Sequence, residues 1–308
     1  MFFQPSTDDP LFAESMDFRY APPLAEPPAW TVLLPFFNER DYLPATLRSI
    51  AAQDRALLLI LIDNGSTDGS QAVAAAECAR LGINFSTIVE QRPGKVNALT
   101  AGLAQVTSEF VATFDADTIY PSDYLSQATC LLVEPGCVAA GAYYAPEKSS
   151  ARQRLMTGLH ICLAGRFMAH QCHAGGAGQA FETASLRKAG GFDARRWNLV
   201  LEDHEIVHRV SQQGRIAYGM GFWCSPSPRE RDRDSIRWSL IERLVYHFTP
   251  AKHQHRFFYD YLAPRLRARK LGSERIRERA FHHSGHQSGH QSGHQLGNAI
   301  CAPSHPMC

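Results

Sequence analysis

Apolar segments alternate with amphipathic segments through residues 30–115 of this 308-residue chain. The apolar segments, interpreted as strands, are residues 30–34, 57–62, 84–89 and 110–112. Between the first two, Leu43, Leu47 and Ile50 recur at helical spacing. Strands that alternate with helices predict right-handed βαβ crossovers. The sequence therefore predicts an α/β fold, with a Rossmann-like, mainly parallel sheet flanked by helices.

Charged side chains follow successive predicted strands. Glu39, Asp63, Lys95 and Asp115 each lie just after one. In open parallel sheets, ligands bind outside the carboxyl ends of the strands. Four unrelated polar loops would explain each residue singly, but not their shared position. We therefore expect one ligand site at this edge of the sheet.

Two aspartates follow the fourth predicted strand, in the sequence Phe-Asp-Ala-Asp. Asp115 and Asp117 are two residues apart, so their side chains can converge on one point. Two carboxylates close together are costly unless a positive charge lies between them. Mg²⁺ or Mn²⁺, with a substrate's phosphates completing its coordination, fits this arrangement. The alternative is that the aspartates cap the next helix or face water.

Composition limits the class of partner and location. The chain has 31 lysines and arginines against 30 acidic residues, so its global charge predicts no nucleic-acid partner. No apolar run approaches the roughly 20 residues of a membrane span. The first ten residues lack signal-peptide character, and eight scattered cysteines suit reduced thiols. These features predict a cytoplasmic protein.

Several segments together resemble the successive motifs of the family 2 glycosyltransferases, which have the GT-A fold. The segments are Asp63–Gly69, Gly94-Lys95 with Ala98-Leu99, Phe114–Asp117, Gly175–Phe181, Gly190–Asp193 and Leu201–Glu205. The resemblance covers roughly Trp30 to Tyr218, and the order and spacing agree throughout. It implies a nucleoside-diphosphate-sugar donor.

The resemblance assigns the donor's base to the loops after the first two strands. Asp63 would accept a hydrogen bond from the base, with Phe37 and Glu39 lining the same pocket. Asp63 can equally close an Asx-type turn, and both roles can hold. The family often has a second aspartate where this chain has Asn64, which removes a charge.

The resemblance assigns the donor's diphosphate and sugar to the next two loops. Lys95, and with it Arg92, would meet the phosphates. Asp117 would ligate the metal directly, and Asp115 would share that role or contact the donor's ribose or sugar. The alternative for Lys95 is a solvated surface lysine.

On the acceptor side, the resemblance makes Asp203 the general base, which takes the proton from an attacking hydroxyl. Glu202, His204 and Gly178 would contact or support the acceptor. The alternative for Asp203 is a charge that complements a helix N-terminus. His204 and His208 lie four residues apart, which permits a metal pair, although we favour a surface pair.

Arg237-Trp238 resembles the pair that closes the acceptor channel of processive members, but the preceding residues depart from that pattern. Since no membrane span follows, we expect a transferase that adds a single sugar. The resemblance implies inversion at the anomeric carbon. The acceptor would be a saccharide, a lipid-linked molecule or a small molecule with a hydroxyl group. The alternatives are a sugar-phosphate nucleotidyltransferase and a catalytically silent sugar-nucleotide-binding protein.

The expected organisation has four parts. They are a poorly ordered lead-in (1–29), a GT-A catalytic domain (30–225), a C-terminal helical extension (226–280) and a disordered tail rich in His, Ser, Gly and Gln (281–308). In the extension, 236–248 and 257–271 are predicted to be amphipathic helices. Basic residues of the second, from Arg265 to Lys270, lie beside Phe257 and Phe258. This pattern permits peripheral contact with the inner face of a membrane, but we favour packing against the catalytic domain.

Overall fold

The computed structural model describes residues 29–227 and 239–276. The predictions for the lead-in before residue 29, for Arg237 and Trp238, and for the tail lie outside these residues. Within them, the six cysteines are all free thiols.

Ten strands are present in the described residues. They are β1 (Trp30–Phe36), β2 (Leu57–Asp63), β3 (Phe85–Val89), β4 (Phe110–Thr113), β5 (Thr118–Ile119), β6 (Cys137–Gly141), β7 (Tyr143–Tyr144), β8 (Gln179–Glu182), β9 (Arg215–Ala217) and β10 (Trp223–Pro226).

Eleven α-helical segments accompany them in the same residues. They are α1 (Leu43–Ala51), α2 (Ser70–Leu81), α3 (Lys95–Gln105), α4 (Tyr124–Leu132), α5 (Ala151–Phe167), α6 (Thr183–Lys188), α7 (Glu202–Val210), α8 (Leu240–Phe248), α9 (Gln254–Arg256), α10 (Ala263–Ala268) and α11 (Ser273–Ile276). A 3-10 turn covers Gly176–Gly178, another covers Ala251–His253, and Phe257–Leu262 is π-helical.

A seven-stranded sheet with the order β3-β2-β1-β4-β8-β6-β9 forms the centre of the protein. The pairs β1–β2, β2–β3, β1–β4 and β6–β9 are parallel, whereas β8 runs antiparallel to both of its neighbours. The predicted α/β fold with a mainly parallel sheet is therefore confirmed. A smaller sheet, β5-β10-β7, follows the carboxyl end of β4.

The sheet is buried on both faces, as alternate residues of its strands show. Leu34 and Leu61 belong to a core that includes side chains of α1, α2 and α4. Leu33 and Ile60, one residue before each, belong to a second core that includes α3, α6 and α7. Because successive side chains of a strand point to opposite faces, continuous apolar strands are what a sheet covered on both sides requires.

The C-terminal helices build a third core. Phe257, Phe258 and Leu262 are buried against the segment from Trp197 to Leu201, which directly precedes α7. The favoured prediction of packing against the rest of the protein is correct. The alternative that these aromatic side chains rest on a membrane is wrong, because they are inside the protein.

Phe258→Ala is expected to lower the free energy of unfolding of the whole protein by about 3–5 kcal/mol, because it leaves a cavity in this third core. Phe258 is fully buried, whereas Phe248 is 81% exposed. Phe248→Ala is therefore the matched control, with an expected change within about 0.5 kcal/mol. Chemical denaturation followed by fluorescence and circular dichroism would measure both. Equal effects of the two substitutions would contradict this packing.

Candidate active site

The loops after β1 and β2 are hydrogen-bonded to each other. Asn38 has a φ of 53°. Its Oδ1 accepts a hydrogen bond from the Thr67 backbone amide at 2.8 Å, and its backbone N–H donates one to Ser66 Oγ at 3.0 Å. The Glu39 amide donates to Ser70 Oγ at 2.9 Å. Phe37 and Glu39 are consequently held beside the turn that follows Asp63.

Asp63 closes the turn after β2. Its Oδ1 accepts a hydrogen bond from the Ser66 amide at 2.8 Å, and its backbone carbonyl accepts one from the Glu90 amide at 2.9 Å. The turn-forming role considered for Asp63 is therefore present. The side chain is almost completely buried in this loop.

Asn64 braces the loop that leads into α3. Its Nδ2 donates to the carbonyls of Glu90 and Arg92 at 2.9 and 2.8 Å, and its Oδ1 accepts from the Gly94 amide at 2.8 Å. A carboxylate cannot donate the first two hydrogen bonds. Asparagine at this position therefore fixes the backbone immediately before Lys95.

Arg92 forms an ion pair at the rim of the site. Its guanidinium lies 2.8 Å from Glu90 Oε2, and 66% of its side chain is exposed. A phosphate that bound Arg92 would therefore do so in the presence of Glu90.

Lys95 begins α3 and points into a group of carboxylates. Its Nζ is 2.5 Å from Asp115 Oδ1 and 3.9 Å from Glu202 Oε1. Burial favours the neutral amine, but the carboxylates of Asp115, Glu202 and Asp203 outweigh burial and raise the pKa of Lys95. The alternative of a solvated surface lysine is therefore wrong.

A tyrosine fixes the position of Asp115 after β4. Tyr120 stacks on Phe114 with ring centroids 3.6 Å apart. Its hydroxyl accepts a hydrogen bond from the Asp115 amide at 2.9 Å and donates one to the Ala177 carbonyl at 2.8 Å. The Phe-Asp-Ala-Asp segment is thus tied directly to the glycine-rich turn before β8.

Asp117 is buried immediately before β5. Its backbone carbonyl accepts a hydrogen bond from the Ser227 amide at 2.7 Å, and its Oδ1 lies 3.4 Å from Thr118 Oγ1. Within residues 29–227 and 239–276 there is no cluster of three or more His, Cys, Asp or Glu side chains arranged for a metal. Two carboxylates on one segment nevertheless fit Mg²⁺ or Mn²⁺, which commonly take their remaining ligands from phosphates and water.

Glu202 and Asp203 form the first turn of α7. Leu201 precedes them with a φ of 67°, a left-handed conformation that is rare for leucine. Asp203 Oδ1 accepts hydrogen bonds from the amide and from Nδ1 of His204, both at 2.9 Å. A Cβ placed on Gly176 would lie 3.6 Å from Asp203 Oδ2 and 3.4 Å from Lys95 Nζ. The second oxygen of Asp203 therefore lies on the side of Gly176 and Lys95.

The two neighbouring carboxyl groups have opposite pKa shifts. Burial raises the pKa of Glu202 to about 7, with a further contribution from Asp203. Burial also acts to raise the pKa of Asp203, but the contacts with His204 and Lys95 hold it below its usual value. Asp203 is therefore ionised at neutral pH and Glu202 only in part.

Two further predictions need correction or refinement. His208 is buried and stacks on Phe258 with ring centroids 5.2 Å apart, so the expected surface pair with His204 is wrong. Gly178 packs against Ala142 and Cys224, whereas Gly176 lies against Asp203. The glycine-rich motif was recognised in the sequence, but the glycine that approaches the carboxylates is its second, Gly176, and not its third, Gly178.

A cavity of about 380 Å³ lies next to Asp203, between α5, α7 and α8. Its polar lining residues are His160, His173, His204, Arg243, Tyr246 and His247. His173 Nε2 lies 3.1 Å from the carbonyl oxygen of Met168, and His247 Nδ1 lies 2.9 Å from Gln171 Oε1. These contacts hold both rings in place. Apart from His204, these residues were not predicted, because they come from segments without a recognisable motif. Gly175 and His204 connect the cavity to the carboxylates.

Comparison with known proteins agrees with this geometry. The family model described as "Glycosyl transferase family 2" matches residues 31–186. An uncharacterized glycosyltransferase of Mycobacterium tuberculosis is 44% identical over 89 residues, which are 29% of this chain and 37% of that protein. The uncharacterized glycosyltransferase YaiP of Escherichia coli is 29% identical over 225 residues, 67% of this chain and 54% of that protein. The chain thus spans only about a third to a half of these relatives.

Solved structures share the fold. A mannosyltransferase from Pyrobaculum calidifontis in complex with GDP-Man and Mn²⁺ has a TM-score of 0.62 at 22% identity, over 78% of this chain and 71% of that chain. S. aureus TarS 1–349 in complex with UDP-GlcNAc has a TM-score of 0.52 at 18% identity, over 76% and 71% of the two chains. The expected GT-A fold is therefore confirmed. Since the family model covers just over half of the 308 residues, the chain belongs to glycosyl transferase family 2.

Proposed function

We propose that this protein transfers a single sugar from a nucleoside-diphosphate sugar to a hydroxyl acceptor, with inversion at the anomeric carbon. The observation that carries the proposal is the convergence of Lys95, Asp115, Glu202 and Asp203 at one edge of the sheet. The cavity that includes His204 in its lining lies next to this group.

The donor binds across the loops that follow β1, β2 and β3. Phe37, Glu39 and Asp63 contact the base, and Lys95 meets the diphosphate, with Arg92 at the rim. Solved structures of this fold hold GDP-Man with Mn²⁺ in one case and UDP-GlcNAc in another. These complexes support a nucleotide-sugar donor as a class.

Asp117 and Asp115 would hold a divalent cation. Bound there, Mn²⁺ or Mg²⁺ would supply positive charge to offset the negative charge that builds on the departing nucleoside diphosphate. Asp115 keeps its contact with Lys95, and the ammonium therefore adds a second positive charge at the same side of the donor.

Asp203 acts as the base toward the acceptor. Its Oδ1 is occupied by His204, so Oδ2, on the side of Gly176 and Lys95, receives the proton of the attacking hydroxyl. The acceptor enters through the cavity, where His173, His247 and Arg243 provide polar groups that can orient hydroxyls. One relative is named as an undecaprenyl-phosphate 4-deoxy-4-formamido-L-arabinose transferase, which supports a lipid-linked molecule as one class of acceptor.

Neither rival function has comparable support. A sugar-phosphate nucleotidyltransferase predicts a glycine-rich phosphate loop ahead of a lysine early in the chain, and the loop after β1 is Phe-Asn-Glu-Arg instead. A silent sugar-nucleotide-binding protein has no need for ionised Asp203 beside a cavity. Binding of donor without transfer or donor hydrolysis would favour the silent protein.

Asp203→Asn should leave nucleoside-diphosphate affinity unchanged and reduce transfer at least about a hundredfold, because the base is lost while the loops remain. Glu202→Gln is the matched control, with a smaller expected loss. Calorimetry with the diphosphate and a turnover assay would measure both. Undiminished turnover of Asp203→Asn would contradict the assignment.

The pH profile distinguishes the two carboxylates further. With Asp203 as base, the rate should stay constant as pH falls from about 8 to about 5, because its lowered pKa keeps it ionised over that range. With Glu202 as base, the rate would fall by half near its pKa of about 7.

Removal of divalent ions should abolish transfer. Asp117→Asn should weaken Mn²⁺-dependent donor binding more than Asp123→Asn does. Asp123, the residue before α4, serves as the control. A thermal-shift screen of nucleoside-diphosphate sugars, with and without Mn²⁺, would report donor binding directly. An unchanged rate after chelation, or equal Mn²⁺ dependence in the two variants, would remove Asp117 from the metal site.

A further inference from the structure

Two helices expose apolar side chains that soluble proteins ordinarily bury. Among the described residues, thirteen large hydrophobic side chains are exposed, and nine of them lie on α5 and α8. The nine are Leu155, Met156, Leu159, Leu163, Phe167, Leu240, Ile241, Leu244 and Phe248. We refer to these nine side chains as the leucine face. A concentration of this kind marks an interaction surface.

Helix α5 turns its small residues inward. Leu155, Leu159, Leu163 and Phe167 recur every four residues, so they form one stripe. The buried positions of the helix are glycines: a Cβ on Gly165 would come within 2.3 Å of the Tyr218 ring. The helix therefore packs on the protein through glycines and presents its leucines outward.

Helix α8 likewise exposes its apolar side. Its buried residues are Glu242 and Tyr246, while Leu240, Ile241, Leu244 and Phe248 are exposed. Glu242 is held inside by Arg269 at 2.8 Å and Arg265 at 3.3 Å. The orientation of the helix is thus set by a buried glutamate, paired with two partly exposed arginines, and its apolar side is left outside.

The two helices belong to one surface. Just after α5, Gln171 Nε2 donates to the carbonyls of Tyr246 and His247 at the end of α8, at 3.2 and 3.0 Å. Side chains of both helices also line the cavity beside Asp203. The leucine face and the cavity therefore share the same two helices, although none of the nine side chains lines the cavity.

The charges on this surface are positive. Arg152 and Arg166 lie within the stripe of α5, a helix without acidic residues, and both are exposed. Arg243 is exposed on α8, where the single acidic residue is the buried Glu242. A second copy of the chain docked symmetrically on the same face would bring the arginines of both copies into one interface. An anionic lipid surface complements both the leucines and the arginines.

We propose that the leucine face docks on the surface of an anionic lipid bilayer, with α5 and α8 lying in its interface. The described residues contain no helix with the length and hydrophobicity of a membrane span, so this contact is peripheral. Docking brings the two helices that line the cavity beside Asp203 to the lipid surface. The proposal depends on the exposed side chains and not on the transferase activity.

The test is co-sedimentation of the full chain with vesicles of phosphatidylcholine alone and of phosphatidylcholine mixed with phosphatidylglycerol. Binding to the anionic vesicles is expected, and it should weaken as salt is raised. Leu159→Ser combined with Leu244→Ser should lower the partition coefficient at least about tenfold. Arg152→Gln and Arg166→Gln should lower it about fivefold each.

The control is Val133→Ser, which alters a side chain that is 64% exposed outside the leucine face and should leave vesicle binding unchanged. Circular dichroism and nucleotide binding would verify that all variants are folded. Absence of binding to anionic vesicles would overturn the proposal, as would equal binding by the control and the leucine variant. Light scattering would show whether a second copy covers the face instead: a dimer that dissociates on leucine substitution, without vesicle binding, contradicts lipid docking.

Discussion

The ammonium of Lys95 is the interaction on which the proposed site depends. It lies among the carboxylates of Asp115, which follows β4, and of Glu202 and Asp203, which begin α7, and all three are largely removed from water. Like charges in such surroundings repel strongly, and a carboxylate left without a partner there is costly. One positive charge therefore keeps the end of β4 next to the start of α7. It thereby also keeps the proposed donor site next to the proposed acceptor site.

The third core stabilises the backbone that carries two of these carboxylates. Leu201 takes up a left-handed conformation that costs on the order of 1–3 kcal/mol, and such strain persists only where the surroundings enforce it. Its side chain is buried in the core that Phe257, Phe258 and Leu262 complete. The C-terminal helices thus hold the backbone turn that aims Glu202 and Asp203 into the site, and they are part of the site's construction.

The sequence predicted the fold and the shared position of Glu39, Asp63, Lys95 and Asp115, because strand–helix alternation fixes where loops meet. It could not predict contacts that depend on a single hydrogen bond or on helix orientation. In the sequence, Asn64 was interpreted only as the loss of a negative charge. In the structure, its side-chain amide must both donate and accept hydrogen bonds. The amphipathic pattern of residues 236–248 predicted a helix, observed as α8, but a pattern alone does not tell which side faces the protein. Glu242, normally a surface residue, occupies the inner side here because two arginines from a later helical segment neutralise it.

The most direct test of the central charge cluster is the pKa of Glu202, measured by carbon-13 NMR of labelled glutamate carboxyls, with Glu202→Gln identifying the resonance. Burial among Asp203 and Asp115 is expected to give a value of about 7. Lys95→Met should raise the pKa of Glu202 further, because the Lys95 ammonium favours the ionised carboxylate. The two residues are more than 100 positions apart in the sequence but lie close together in the fold. A pKa near the ordinary glutamate value of about 4.3, unaffected by Lys95→Met, would show that these groups do not form one site and would contradict the account.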